Sequence, residues 1–502
     1  MRSLISSALL AALLPAGLAA QTATLPAHGT PEISAADVHA RIAWLASDEL
    51  AGRNTPSPGL ETAAAYAAAE FARFGLQPAG DSGSFVQRYP LQSASMDRAR
   101  VLFQLADQVL AYGTQYFVVP AMTGDSTAAA ALYVGTARPG VTLPAEARGR
   151  IAVFAIADTL SAATQQAWQQ NLTAAVIAGI SGGAAGVVLV LDPAFSDAAI
   201  GMLAGFTAGQ SAPVPVAGVA HDAIAPLFAA AGQDLARLRA AEPAAPVALP
   251  GTIIIRTGAQ SATDRVPNIV AILPGSDSVL KHEYIVYSAH IDHVGVGAAD
   301  SEGDSIFNGA DDDASGTAAV LELAQAFAAR PNAPRRSLVF LLVSGEEKGL
   351  LGSRWFVDNP PVPLAQIVGN INLDMIGRNH PDTIYGIGVE YTTLGADAQA
   401  IARQQPDIGI TVAPDPVPEE QLFFRSDHFS FAAKDIPALF FTTGLHEDYH
   451  RPSDEPETID AAKLARVTLL LERLGEQAAN AAERPAWTEA GRAALAKARA
   501  GR

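Results

Sequence analysis

Apolar residues recur at helical spacing in two stretches near the start of the chain, 35–47 and 61–74. A loop rich in Gly, Pro and Asn, from Gly52 to Gly59, separates them. Between about Gly124 and Val247 the pattern changes to short β-type runs at 131–134, 151–156, 187–191 and 214–219, set among Ala/Gly-rich helices. From residue 252 onward strands and helices alternate. Strands are predicted at 253–256, 268–273, 284–289, 337–343, 371–375 and 438–442, with helices at 315–328 and 461–479. That alternation predicts an α/β fold, a mixed, mostly parallel sheet covered by helices on both faces. In such sheets chemistry collects beyond the carboxyl ends of the strands. The most apolar stretch, 173–191, is broken by Gly179, Gly182, Gly183 and Gly186 into a helix end, a turn and a short strand. It is therefore not read as a membrane span.

A chain of 502 residues is long enough for two or three domains, since single cores rarely grow past about 250–300 residues. Hydrophobic residues at 49% and charged residues at 17% exclude a disordered chain. The formal charge of −18 repels phosphate backbones and anionic membrane surfaces, so nucleic acid is not an expected partner. Arg2, the apolar run from Leu9 to Leu18 and the small residues Gly17, Ala19 and Ala20 follow the layout of a secretory signal over 1–20. Export to the periplasm or medium is expected. With no cysteine there are no disulfides, and a large core plus bound metals would have to supply rigidity instead.

Five predicted strand ends in the second half carry metal-ligand side chains. His290-Ile-Asp292 follows the strand at 284–289, and positions two apart on an extended backbone face the same way, so Asp292 can orient the His290 ring. Asp311, Asp312 and Asp313 open a helix. One carboxylate there would serve the helix N-terminus, but three concentrate charge that calls for a cation. Glu346 and Glu347 end the strand at 337–343. Adjacent side chains point to different sides, so one can hold metal while the other takes a proton from water. Asp374 is a charge in the otherwise apolar strand 371–375, costly unless paired or coordinated. Tyr449 and His450 follow the last strand. Of 10 histidines only His290 and His450 combine a strand end with carboxylate company; His293, His428 and His446 are read as supporting or surface residues, and His221 has no evident partner.

Together His290-x-Asp292, the Gly-Ala-Asp-Asp-Asp-Ala-Ser-Gly316 run, Glu346-Glu347-x-Gly-Leu-x-Gly352-Ser353, Asn372-x-Asp374-Met-Ile-Gly377 and Tyr449-His450-x-Pro resemble the co-catalytic di-zinc aminopeptidases of clan MH, the aminopeptidase Y and bacterial leucyl aminopeptidase type. The resemblance covers roughly 35–120 and 250–480. It implies two zinc ions held by His290, Asp312, Glu347, Asp374 and His450, with Asp312 as the bridge. It further implies Glu346 as general base, Asp292 as the orienter of His290, and Tyr449 near the oxyanion. The domain plan it implies is a signal over 1–20, a discontinuous zinc peptidase domain over 21–123 and 248–484, an inserted α/β protease-associated domain over 124–247, and a tail over 485–502. Peptides are the expected partners of an exported exopeptidase with no membrane span in the mature chain. A carboxypeptidase, a dipeptidase or a single-zinc enzyme like the glutaminyl cyclases shares the scaffold. A non-enzymatic receptor-like relative would have lost ligands that are all present here. Phe423, Phe424 and Phe429 are candidates for an apolar pocket or for core packing.

Overall fold

Strands Tyr284–His290 and Ser337–Val343 lie side by side and parallel, and alternate residues of each go to opposite sides of their sheet. Ile285, Tyr287, Leu338, Phe340 and Leu342 enter one buried cluster; Val286, Val339, Leu341 and Val343 enter another. A strand buried on both faces reads as a continuous apolar run, as 337–343 does. In a computed structural model the described residues are 25–500 apart from 27, 120–124, 157–164, 208–211, 241–244 and 298. The region read as a signal, 1–20, lies outside them. The chain divides into two compact units, Met1–Pro90 with Arg265–Arg502, and Leu91–Asp264.

In the first unit nine strands form a mixed sheet in the order Gln77–Pro78, Ala259–Leu273, Ser337–Val343, Tyr284–His290, Ile367–Leu373, Ala438–Thr442, Thr383–Ile387, Thr411–Ala413, with Val86–Met96 also paired to Ala259–Leu273. Ser337–Val343, Tyr284–His290, Ile367–Leu373 and Ala438–Thr442 run parallel to one another, so all four carboxyl ends point the same way. Helices Ala35–Leu45, Pro58–Arg73, Gly316–Ala328 and Ala461–Asn480 contribute to the cluster on one face. Leu351–Asp358, His428–Ala433 and Glu489–Ala500 contribute to the other. The expected α/β class with helices on both faces is what the chain adopts. Local signals set the helix starts: Ser34 and Ser57 accept from the backbone N–H of Asp37 and Leu60, and Pro58 opens its helix.

The second unit holds an eight-stranded mixed sheet in the order Gln108–Val109, Leu102–Leu105, Val247–Arg256, Ser126–Thr136, Ile151–Ala155, Gly186–Val190, Val216–Val219, Tyr116–Val119. It starts earlier and ends later than the 124–247 stretch set apart by composition, because three short strands before residue 120 and the long one at Val247–Arg256 pair into its sheet. The apolar stretch 173–191 is divided between helix Gln165–Ser181 and strand Gly186–Val190. Among the described residues no helix is long and apolar enough to cross a membrane.

Two readings of the second half change. The pattern predicts a strand over 371–375 with Asp374 inside it, but the strand is Ile367–Leu373, and Asp374 is the first residue beyond it. It therefore sits at the sheet's carboxyl edge with the other acids. Strands Thr383–Ile387 and Thr411–Ala413, too short to show a periodicity, were not predicted and form the far edge of the sheet.

Candidate metal centre

All five predicted ligands converge at the carboxyl ends of the parallel strands. His290 is the last residue of its strand and is buried. Its Nε2 lies 3.1 Å from Asp312 Oδ1 and 3.5 Å from Asp374 Oδ1. On the other side Asp312 Oδ2 lies 3.1 Å from His450 Nε2, which is also 3.1 Å from Glu347 Oε2. Asp312 thus faces one imidazole with each oxygen.

The three consecutive aspartates divide their work. Asp313 accepts the backbone N–H of His290, Gly316 and Met375, so although it stands close to His290 and Asp374 its oxygens serve the backbone. Asp311 Oδ1 accepts the N–H of Gly377, and its Oδ2 lies 3.3 Å from His446 Nε2. The backbone N–H groups of Asp311 and Asp312 both donate to the Asp454 carboxylate. Only Asp312 is left to face both imidazoles.

The ring of His290 is oriented by the backbone. Its Nδ1 lies 3.0 Å from the carbonyl oxygen of Asp292, whereas the Asp292 carboxylate Oδ1 is 3.9 Å away. Asp292 Oδ2 instead accepts from Thr55 Oγ1 and from the N–H of Gly345, both at 2.7 Å. Side-chain alternation on a strand suggested the carboxylate as the partner, but the chain has left the strand at His290 and turns there. Asp374 Oδ2 accepts from Ser426 Oγ at 2.6 Å, and Ser426 in turn accepts from Asn372.

Glu346 and Tyr449 open onto a small cleft with His290, Asp312 and Asp374. Desolvation pushes the Glu346 carboxyl well above the usual carboxylate range, and nearby Asp427, Asp374 and Glu347 act in the same direction against His290. Burial raises the Tyr449 phenol, as do the carboxylates of Asp312 and Glu347, so it keeps its proton at neutral pH. Its ring stacks on that of His450 at 3.9 Å between centroids. Met375, Leu422, Phe440 and Leu445 supply the apolar wall of this cleft. Phe423, Phe424 and Phe429 line a different, larger cavity of about 600 Å³ together with Tyr391 and Arg354.

The donor set fits metal. Asp312 Oδ2, Glu347 Oε1 and His450 Nε2 are buried atoms without a hydrogen-bond partner, an arrangement that is costly unless a cation completes it. Imidazole and carboxylate are ligands that suit zinc.

Some residues at the centre were not singled out in the sequence or were set aside. His293, read as a supporting or surface residue, is fully buried with Nδ1 2.7 Å from Glu347 Oε1. The His446 side chain, 3% exposed, lies against Asp311, and His428 is wedged between Phe423 and Phe440, where burial lowers its pKa to about 3. Arg53, in the Gly/Pro/Asn loop, is fully buried and donates to the carbonyls of Ile291 (2.9 Å), Asn308 (2.8 Å), Gly309 (3.0 Å) and Leu45. The spacing His290-x-x-His293 was a usable signal for His293. No local signal ties Arg53 to ligands more than 200 positions away.

Residues 268–474 match the model of Peptidase family M28. A probable zinc metalloprotease of Pyrenophora teres f. teres (strain 0-1) is 29% identical over 171 residues, 32% of this chain and 34% of its own. Leupeptin-inactivating enzyme 1 of Streptomyces exfoliatus is 36% identical over 115 residues, 23% of each chain. The chain thus spans only 34% and 23% of the lengths of these two relatives. An aminopeptidase from Aneurinibacillus sp. strain AM-1 shares the fold, with a TM-score of 0.55 and 21% identity over 90% of this chain and 96% of that one. The segment that matches the peptidase family M28 model, 268–474, supplies every side chain of the cluster from His290 to His450.

Proposed function

We propose that the chain is an exported two-zinc exopeptidase, an aminopeptidase that hydrolyses the N-terminal bond of peptides. The observation that carries this reading is Asp312, whose two oxygens each stand 3.1 Å from a different imidazole, as a carboxylate shared by two ions would. Zinc held by His290, Asp374 and Asp312 on one side and by Asp312, Glu347 and His450 on the other would polarise the scissile carbonyl and acidify the attacking water. Glu346, in the same cleft and with its proton affinity raised by desolvation, accepts the proton of that water and returns it to the departing amine. Tyr449 donates its phenolic hydrogen to the substrate oxygen as negative charge develops there. Asp292 tethers the turn after His290 to Gly345, next to Glu346, through its carboxylate.

Arg425 lines the same cleft, and a guanidinium there suits a substrate carboxylate, which favours a dipeptidase or carboxypeptidase as the second reading. A panel of free-amine, N-acetylated, C-amidated and dipeptide substrates, with and without chelator, separates the two. The expected result is turnover that requires the free amine, survives C-amidation and disappears with chelator, in a protein holding about two zinc ions per chain. Activity that survives N-acetylation but not C-amidation selects the carboxypeptidase. A single zinc with cyclisation of N-terminal glutamine selects the cyclase-like enzyme.

The layout of 1–20 supports export, and N-terminal sequencing of protein recovered outside the cytoplasm is expected to start near Ala20 or Gln21. We read the second unit as a protease-associated domain acting in substrate recognition or as a lid. Its supporting features are the 147–154 and 183–190 segments, which end in strands Ile151–Ala155 and Gly186–Val190 of its sheet.

A further inference from the structure

We infer that the metal centre is asymmetric: His293 supplies a fourth protein ligand to the position formed by Asp312, Glu347 and His450 and so closes it, while the position formed by His290, Asp374 and Asp312 stays open to substrate. This rests on the two-zinc reading above.

His293 stands three residues beyond His290, where the chain has turned away from the strand and its N–H reaches the carbonyl of Arg53 at 3.4 Å. The side chain has no solvent exposure. Nδ1 lies 2.7 Å from Glu347 Oε1 and 3.7 Å from Asp312 Oδ2, and the ring meets that of His450 edge to face at 5.6 Å. Despite the short approach, neither nitrogen of His293 makes an aligned hydrogen bond, and Glu347 Oε1 and Asp312 Oδ2 are equally without one. Fully buried polar atoms in a folded protein are almost always satisfied. Three of these, His293 Nδ1, Glu347 Oε1 and Asp312 Oδ2, stand together with His450 Nε2, which also lacks an aligned partner, and a cation among the four would satisfy them.

Ligand atoms of His293, Asp312, Glu347 and His450 all lie within 4.8 Å of one another. Two imidazoles and two carboxylates fill the four places zinc prefers, which is the closed pattern of sites that hold metal rather than react on it. The other position has three protein ligands, the number that leaves a place free for water or substrate. The cleft agrees with this division: His290, Asp312, Asp374 and Glu346 line it, and His293, Glu347 and His450 do not. In this arrangement the closed position anchors Asp312, and the reaction takes place at the open one.

The test counts imidazoles. Elemental analysis first establishes two zinc ions in the intact protein, and X-ray absorption then gives the mean number of imidazoles per zinc. Three histidines shared by two ions give about 1.5, against about 1 if only His290 and His450 coordinate. His293→Phe is expected to bring the count down to about 1 and to weaken one of the two zinc equivalents more than about tenfold in competition with a chelator, leaving the other in place. A count of about 1 in the unaltered protein, or a count unchanged in His293→Phe, overturns the assignment. If the variant does not fold, the unaltered protein still decides. One zinc ion or none would instead sink the two-zinc reading, so the two failures are distinguishable.

Discussion

Glu346 and Glu347 are chemically identical neighbours given different surroundings by one turn of the chain after Val343. Glu347 reaches His450 and His293, while Glu346 faces the cleft. Glu346→Gln keeps the shape and removes the base, so turnover is expected to fall by about 10²–10⁴-fold with zinc content unchanged. Glu347→Gln exchanges a ligand for a poorer one, so zinc content drops and excess zinc partly restores turnover. Metal analysis and steady-state kinetics on both variants check this, and the reverse pattern would exchange the two roles. Of the five side chains brought together here, four could be read from the sequence because they follow apolar strands, where a charge is conspicuous, and Asp312 because it stands in a run of three acids at a helix start. What could not be read was which oxygen or nitrogen each would present. The work of Asp311 and Asp313 depends on backbone N–H groups of His290 and Gly377, set by how the loops fold rather than by spacing. The same blindness hid His293, whose partners Glu347 and His450 come from two other loops.

Among the elements, the loop after helix Ala35–Leu45 holds the ligand loops in register. Arg53 spans the carbonyls of Ile291 and of Asn308 and Gly309, so one guanidinium joins the turn after His290 to the turn before the aspartates. Burial lowers its pKa to about 10, which leaves it charged at neutral pH. Arg53→Ala abandons several buried acceptors at about 1–3 kcal/mol each, and Arg53→Lys cannot satisfy them in the same plane. Both variants are expected to unfold at lower temperature and to hold zinc more weakly, measured by thermal melts and chelator competition; unchanged zinc affinity would reduce Arg53 to a scaffold residue. A second element-level joint is Arg41 on helix Ala35–Leu45, which pairs with Glu70 at 2.8 Å and Glu322 at 2.6 Å from two neighbouring helices. Arg41→Leu leaves the buried Glu322 carboxylate without a countercharge and Glu70 with only Arg73 of its two arginines, a loss of about 3–5 kcal/mol. Burial acts to raise the Glu70 carboxyl, but Arg73 and Arg41 outweigh it and hold the group down to about 2. Its contribution to stability is therefore complete above about pH 4.5 and fades as pH falls towards 2. An acid-unfolding curve should lose that component in Glu70→Gln. Helix starts at Ser34 and Ser57 were legible because capping is local, whereas the Arg41 joint links residues over 280 positions apart and left no trace in the periodicity.

At the scale of the whole molecule, the alternation of strands and helices after residue 252 was enough to give the α/β class, since a parallel sheet buried on both faces writes long apolar runs into the chain. The extent of the second unit was harder to read, because its first strands are short and two of them, Leu102–Leu105 and Tyr116–Val119, pair with strands roughly 100 to 150 residues further on. The guanidinium of Arg88 donates to the carbonyl of Arg265 at 2.7 Å, and that of Arg265 to the carbonyl of Arg88 at 3.2 Å. The residues just before Pro90 and just at Arg265, where the first unit's chain breaks off and resumes, are thus neighbours on paired strands. To the first unit, everything from Leu91 to Asp264 is one very long hairpin turn. Replacing it with Asn-Gly, the shortest turn that suits paired strands, should leave a chain that folds and binds zinc, as metal analysis and circular dichroism would show. In terms of connectivity, the second unit leaves and rejoins the first at neighbouring strands, so it interrupts that unit's chain without changing the order in which its other strands are threaded.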